Sequence, residues 1–170
     1  KYTKKNEVSL PIKLRDPSIA IPAGLDIAFT EMPDPAKVYL LSIDTAGGLG
    51  LDYTAFTFID PDTLEAVGGF KTNTSDDEAV KELTRYIMVD LFPKTIAVIE
   101  RNYLGIVLIN YLIKLTEANL ESRIFYIEKE KVAERTVGRI SVKNKKRVRV
   151  YGVDTSVTSR ETMIRHLFQL

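Results

Sequence analysis

The sequence predicts an α/β fold in which a mixed sheet of five strands is flanked by helices. Three observations predict it: successive strand patterns joined by short turns, later strand patterns that alternate with helical ones, and a composition 45% apolar and 28% charged over 170 residues. A chain of this length and composition can bury one good core, so we expect one domain. Strands joined by short turns pair antiparallel, whereas an intervening helix allows parallel pairing.

The segment before the first strand, residues 1–35, is expected to be a connector or N-terminal extension. Five of the seven prolines fall in it and divide it into short pieces without a sustained hydrophobic period. Proline interrupts helices and central strands, so no separate domain is predicted here. The folded domain is expected over residues 36–170.

Three strands are predicted next, at Lys37–Asp44, Tyr53–Asp60 and Leu64–Thr72. Each is a run rich in β-branched, aromatic or other apolar residues, and Pro61-Asp62 forms a turn between the second and the third. Because the connections are short, these strands are expected to form an antiparallel meander.

Two helices and two further strands complete the predicted fold. Cap and acidic residues at 73–78 precede apolar residues at helical spacing, which predicts a first helix that ends before Pro93. Thr95–Glu100 is the fourth strand, Tyr103–Glu117 is a second helix that is apolar nearly all round, and Arg123–Glu128 is the fifth strand. A helix so apolar is expected to be buried on several sides.

Basic residues are concentrated between positions 129 and 149. Alternating patterns at 139–143 and 147–151, around a turn candidate at Asn144-Lys145, predict an inserted β-hairpin with one basic face. Such a face suits sequence-independent contact with DNA phosphates, whereas a solvated edge protected by lysines is the alternative. The candidate DNA-binding residues are Arg139, Lys143, Lys145, Lys146, Arg147 and Arg149.

Two acidic residues stand at the ends of apolar strands, Asp44 after the first and Glu100 after the fourth. Functional groups are commonly placed at this end of strands in α/β sheets, and a carboxylate at a sheet rim can be satisfied by a divalent cation. Asp52 follows a glycine-rich turn and is a third candidate ligand. The alternatives are that Asp44 or Asp52 stabilises a turn, and that Glu100 pairs with Arg101 at the surface.

Composition excludes several other chemistries. The chain has no cysteine and one histidine, which excludes disulfides, thiolate zinc sites and thiol nucleophiles and disfavours a zinc hydrolase. Its net charge of +1 gives no global signal for nucleic acid, so such a partner depends on local patches. No apolar run is long enough for a membrane span and no signal peptide is recognised, so an intracellular protein is expected.

The order of elements resembles the ribonuclease H fold, and three segments resemble the nuclease domain of the large terminase subunit of tailed bacteriophages. Ser42–Ala55 is similar to the first nuclease motif of that family and Ala97–Gly105 to the second. Tyr151–Ile164 is similar to the segment where those proteins pass from a basic hairpin region into a helix. The chain has no Gly-x-x-x-x-Gly-Lys-Ser/Thr loop, so the packaging ATPase that the family carries upstream is not expected here.

The resemblance implies an endonuclease that cuts viral duplex DNA in the host cell cytoplasm during genome packaging. It implies two Mg²⁺ or Mn²⁺ ions, with Asp44 bridging both, Glu100 binding one and Asp52 assisting. The third carboxylate of the family is expected beyond Leu170, which implies a domain truncated at its C-terminus. The implied partners are double-stranded DNA, the portal protein, the small terminase subunit and the upstream ATPase domain.

Two other function classes remain open on the sequence alone. A non-catalytic DNA-binding module would use the same fold and hairpin without cleavage. An actin-like phosphotransferase fragment also has a strand, an aspartate, a glycine-rich turn and a second strand, but its other phosphate loop and adenosine motif are not evident. Asn102 is expected either to cap the second helix or to orient water or phosphate, and His166 is expected to be a surface or packing residue.

Overall fold

The computed structural model describes residues 12–13, 27–46, 53–72, 77–137 and 140–154. Within these residues the strands form one six-stranded sheet and a separate two-stranded hairpin. The sheet contains β1 (Ile12–Lys13), β2 (Ala28–Phe29), β3 (Leu40–Asp44), β4 (Thr54–Ile59), β5 (Ala66–Thr72) and β6 (Ile96–Ile99). Their spatial order is β1-β2-β5-β4-β3-β6.

The centre of the sheet is the predicted meander with one parallel strand added. β3 pairs antiparallel with β4, and β4 pairs antiparallel with β5. β6 lies on the other side of β3 and runs parallel to it, because a helix brings the chain back to the same end of the sheet. The predicted α/β class with a mixed sheet is therefore confirmed.

Residues 27–29, which belong to the segment expected to be a connector, contribute to the core. Ile27 and Phe29 are 0% and 1% exposed, and β2 pairs antiparallel with β5 at Gly68 and Gly69. A Cβ atom on Gly68 would lie 2.4 Å from Cδ1 of Phe29. The absence of a side chain at Gly68 is what allows the Phe29 ring to lie against β5.

Two α-helices and one face of the sheet form the hydrophobic core. α1 (Asp77–Tyr86) continues into a π-helical turn, Ile87–Leu91, and α2 (Tyr103–Lys114) follows β6. The core joins apolar side chains of both helices to alternate residues of the strands: Val80, Ile87, Leu108 and Leu112 with Leu41, Ile43, Phe56, Phe58, Ala97 and Ile99. None of the helices in the described residues has the length and apolar character needed to cross a bilayer.

The sheet edge beyond β6 is built from two separate pieces of chain. Ile124 forms a parallel bridge with Ala97, and Val153 forms a parallel bridge with Glu100. Between them the chain leaves the sheet as a hairpin of β7 (Tyr126–Val137) and β8 (Ile140–Tyr151). The prediction of a fifth sheet strand at Arg123–Glu128 was wrong in extent, because from Tyr126 onward the backbone pairs with β8 instead.

The hairpin itself is longer than predicted, and its turn is elsewhere. Asn144 pairs with Ala133 and Lys145 pairs with Val132, so the predicted turn lies in the middle of β8. The innermost described pair is Val137 with Ile140. The residues that suggested a first arm therefore belong mostly to β8, and the true partner strand is β7.

Candidate functional site

Asp44 and Glu100 lie next to each other at the ends of neighbouring parallel strands. Ile43 and Ile99 form the last parallel pair between β3 and β6, and the Glu100 amide donates a hydrogen bond to the Ile43 carbonyl at 3.0 Å. Neighbouring strands in a sheet are about 4.8 Å apart, and side chains in register share one face. The fold thus places the two carboxylates on the same face, with Asp44 exposed and Glu100 half-buried.

This face is the one opposite the helices. Ile43 and Ile99 are 1% and 0% exposed and belong to the core beneath α1 and α2. Side chains alternate along a strand, so Asp44 and Glu100 are directed to the other side. On the far side of Glu100 the paired residue is Val153, which is 9% exposed, so an apolar residue borders the carboxylates there.

The backbone around the two carboxylates is held by Asn102 and Thr45. The Asn102 side-chain oxygen accepts a hydrogen bond from the Gly105 amide at 2.9 Å and another from the Thr45 hydroxyl. The Asn102 amide group in turn donates to the Thr45 carbonyl. The expected capping role of Asn102 is confirmed, and the same side chain ties the segment after β3 to the first turn of α2.

The packing of α2 against β6 requires a glycine at position 105, five residues after Glu100. A Cβ atom at Gly105 would lie 1.7 Å from the carbonyl oxygen of Glu100, so only glycine permits this approach of α2 to β6. In the sequence this glycine is the last residue of the second resembling segment, Ala97–Gly105. Its packing against the Glu100 peptide could not be deduced, because it depends on the angle between helix and strand.

The segment that joins β3 to β4 is anchored at its beginning. The Ala46 amide donates to the hydroxyl of Thr54 at 3.0 Å, and Thr54 is completely buried. The third candidate ligand, Asp52, lies outside the described residues, as do most of the third resembling segment and His166.

Arg101, the residue after Glu100, connects the sheet to the root of the hairpin. Its guanidinium donates to the Tyr151 carbonyl at 2.7 Å and forms an ion pair with Asp154 at 3.2 Å. Lys129 of β7 is 3.7 Å from the same carboxylate. No local pattern predicts this contact, since Arg101 and Asp154 are brought together by the parallel bridge of Glu100 with Val153.

Asp154 does not extend the pair of carboxylates into a third ligand. It follows Val153, which pairs with Glu100, so by alternation Asp154 belongs to the opposite face. In the part of the chain that the structure describes, no three His, Cys, Asp or Glu residues are grouped closely enough to hold a metal. The donor set that is present, two carboxylates on one face, has the hard oxygen chemistry that Mg²⁺ and Mn²⁺ prefer.

The hairpin face expected to be basic carries acids as well. Lys145 forms an ion pair with Glu130 at 3.2 Å, and Arg147 lies 3.8 Å from Glu128. Arg149 lies on the same face, with its guanidinium 4.6 Å from the centre of the Tyr126 ring. The candidates Lys145, Arg147 and Arg149 share one face of β8, and β7 supplies glutamates directly opposite Arg147 and Arg149.

Lys146 lies on the other face of the hairpin from Lys145 and Arg147. It pairs directly across the strands with Lys131, and Lys129 is two residues farther along β7 on the same face. Of the remaining DNA-binding candidates, Arg139 lies outside the described residues, and Lys143 is described only as a backbone position of β8.

Comparisons with known proteins give no family for this chain. No family model matches the sequence, and no curated protein sequence matches it significantly.

Proposed function

We propose that this chain is a divalent-metal-dependent endonuclease domain of ribonuclease H-like fold that cuts viral DNA during genome packaging. The observation that supports it most is the placement of Asp44 and Glu100 on one face, at the ends of adjacent parallel strands. The resemblance to the ribonuclease H fold implies that the first and fourth predicted strands lie side by side, and the adjacency of β3 and β6 in the order β5-β4-β3-β6 supports it.

Two Mg²⁺ or Mn²⁺ ions, when bound, would supply an activated water and would stabilise the leaving oxygen of a phosphodiester. Asp44 would hold both ions, Glu100 one of them, and Asp52 would assist. The hydrogen bond from the Glu100 amide to the Ile43 carbonyl fixes the spacing of the two strands at the positions that carry the first two carboxylates. Thr45 and Asn102 restrain the backbone on either side of them.

The substrate in this proposal is double-stranded DNA in the host cell cytoplasm. The portal protein, the small terminase subunit and an upstream ATPase domain are proposed partners on the resemblance to large terminase subunits. Among the described residues, the hairpin supports a DNA substrate. Its arms carry exposed lysines and arginines, and the chain that follows it pairs with Glu100 through Val153.

The test combines metal binding with plasmid cleavage. Titration calorimetry with Mn²⁺ and cleavage of supercoiled plasmid with Mn²⁺, Mg²⁺ or chelator are measured on the wild type, Asp44→Asn and Glu100→Gln. The control is Glu65→Gln, which neutralises an exposed acid in the turn between β4 and β5. We expect metal binding and cleavage to be lost in both site variants and retained in the control.

Cleavage that is unchanged in Asp44→Asn would overturn the proposal. Duplex binding by the wild type without any binding of Mn²⁺ would also overturn it, in favour of a non-catalytic DNA-binding module. That second function draws support from the hairpin alone, since its charged residues need no metal to contact phosphates.

A further inference from the structure

The two faces of the β7–β8 hairpin differ in their charge. On the first face Glu128 and Glu130 are interleaved with Lys145 and Arg147, and ion pairs of 3.2 and 3.8 Å join them. The opposite face carries Lys129, Lys131 and Lys146, and no acid of β7 or β8 is present between the described side chains of that face. Both sets are exposed, so charge rather than access distinguishes the two faces.

Lys131 and Lys146 oppose each other directly, as a cross-strand pair. Directly opposite residues have Cβ atoms about 5 Å apart, and like charges in that position destabilise an antiparallel ladder. Lys129 adds a third cation at roughly 7 Å along β7, since two residues of a strand rise about that far. Among the described carboxylates, Asp154 approaches Lys129 at 3.7 Å, and neither Lys131 nor Lys146 forms an ion pair with one.

The first face has the opposite character. Lys145 and Arg147 already have carboxylates within ion-pair distance, so a phosphate that approached either would have to compete with Glu130 or Glu128. Arg149, on the same face, lies over the Tyr126 ring. Such competition reduces the gain from each contact, because the glutamate is left beside the incoming phosphate and repels it.

We infer that the hairpin binds the phosphate backbone of duplex DNA through the face that carries Lys129, Lys131 and Lys146. The inference rests on the proposed function, from which it takes duplex DNA as the ligand, and it assigns the contact to one face of the hairpin. Phosphates placed over the Lys131–Lys146 pair relieve a repulsion that the free protein contains. The ion-paired face instead stabilises the hairpin.

The experiment compares two double variants that each remove two positive charges from the same stretch of the hairpin, on opposite faces. Lys131→Gln/Lys146→Gln alters the lysine face, and Lys145→Gln/Arg147→Gln alters the ion-paired face. Affinity for duplexes of two unrelated sequences is measured by fluorescence anisotropy over a range of salt concentrations. Chelator is present throughout, so binding is read without cleavage or metal.

We expect the lysine-face variant to lose roughly 60-fold in affinity near 0.1 M salt, and the slope of log K against log salt to become shallower by about 1.8, for two lost phosphate contacts. The ion-paired variant should change the slope by less than half as much. It should also have a lower thermal midpoint, whereas the lysine-face variant should keep or raise that of the wild type.

Equal losses in the two variants, or a larger loss in the ion-paired variant, would overturn the assignment to one face. Absence of duplex binding by the wild type would overturn it as well. These outcomes are separate from failure of the nuclease proposal, which is decided by metal binding and cleavage in the Asp44 and Glu100 variants.

Discussion

Replacement of Gly105 by alanine tests the geometry that holds Glu100 in place. In an exposed helix interior this substitution would stabilise the chain by about 1 kcal/mol, because glycine loses more backbone entropy on folding. Here the added Cβ would lie 1.7 Å from the Glu100 carbonyl oxygen and 3.2 Å from Oδ1 of Asn102. An ordinary carbon–oxygen contact is about 3.3 Å, so α2 and β6 would have to separate by roughly 1.5 Å.

Three contributions determine how far Gly105→Ala changes the free energy of unfolding. Overpacking of a tight site costs up to about 3 kcal/mol, and displacement of the first turn of α2 from Asn102 weakens a cap worth about 1 kcal/mol. The gain in helix propensity offsets about 1 kcal/mol, which leaves a net loss of about 3 kcal/mol in the free energy of unfolding. For a chain of this size that corresponds to a decrease in Tm of about 6–12 °C.

Urea and thermal unfolding of Gly105→Ala measure this loss, and Asn110→Ala is the matched control. Asn110 is exposed in the same helix, so the same new side chain there should leave stability unchanged or raise it by a few tenths of a kcal/mol. Gly105→Ala should also bind Mn²⁺ more weakly, because the peptide of Glu100 is displaced. If Gly105→Ala proves as stable as the wild type, the close approach of α2 to β6 is not rigid and this reasoning is refuted.

Two further predictions concern side chains that fix the chain around the sheet. Asn102→Ala should lower the free energy of unfolding by about 1–2 kcal/mol, since it removes a helix cap, and the urea midpoint measures it; Asn102→Asp, which keeps an acceptor for Gly105, should lose less. The hydrogen bond from Lys37 at 2.6 Å lowers the pKa of Asp60. The Lys37–Asp60 pair therefore stabilises the folded chain at pH values above the ordinary carboxyl range, and this stabilisation is lost as pH falls through the lowered pKa. The urea midpoints of the wild type and Lys37→Gln should therefore converge below about pH 4, and a constant difference down to pH 2 would contradict this.

The strands of the central sheet could be predicted from local pattern because each is a short run with one buried face. Predicted and observed ends of β4 differ by a single residue, and β3 begins at Leu40 where Lys37 was expected. The composite edge could not be found in this way. Val153 completes a row begun by Ile124, and no local property of either residue reveals that a hairpin separates them.

The hairpin register was misjudged for a different physical reason. Charged residues are consecutive at Glu128–Lys131 in β7 and at Lys145–Arg147 in β8, so hydrophobic alternation does not select one register there. Asn144 resembles a turn residue but lies within β8. Alternation also cannot show which acids face which bases. The pairing of Glu130 with Lys145 follows only once β7 is known to be the partner strand.

The carboxylate pair shows what sequence and structure each contribute. That Asp44 and Glu100 end apolar strands is visible in the sequence, but their adjacency depends on β6 pairing with β3 rather than with another strand. Only the resemblance to a known fold made that adjacency an expectation. The hydrogen bonds by which Thr45 and Asn102 restrain the backbone could not be predicted from the sequence, which indicated only that Asn102 could cap a helix.

The composite sheet edge has a consequence for how the hairpin can vary among related chains. The chain leaves the sheet after Phe125 and returns at Gly152, and the Gly152 amide donates to the Phe125 carbonyl at 2.8 Å, so the two ends of the excursion are already joined. Closing a longer loop costs little more than closing a shorter one, because the entropy grows only with the logarithm of length. The hairpin can therefore be lengthened, shortened or exchanged as a module while the row from Asp44 through Glu100 to Val153 keeps its geometry.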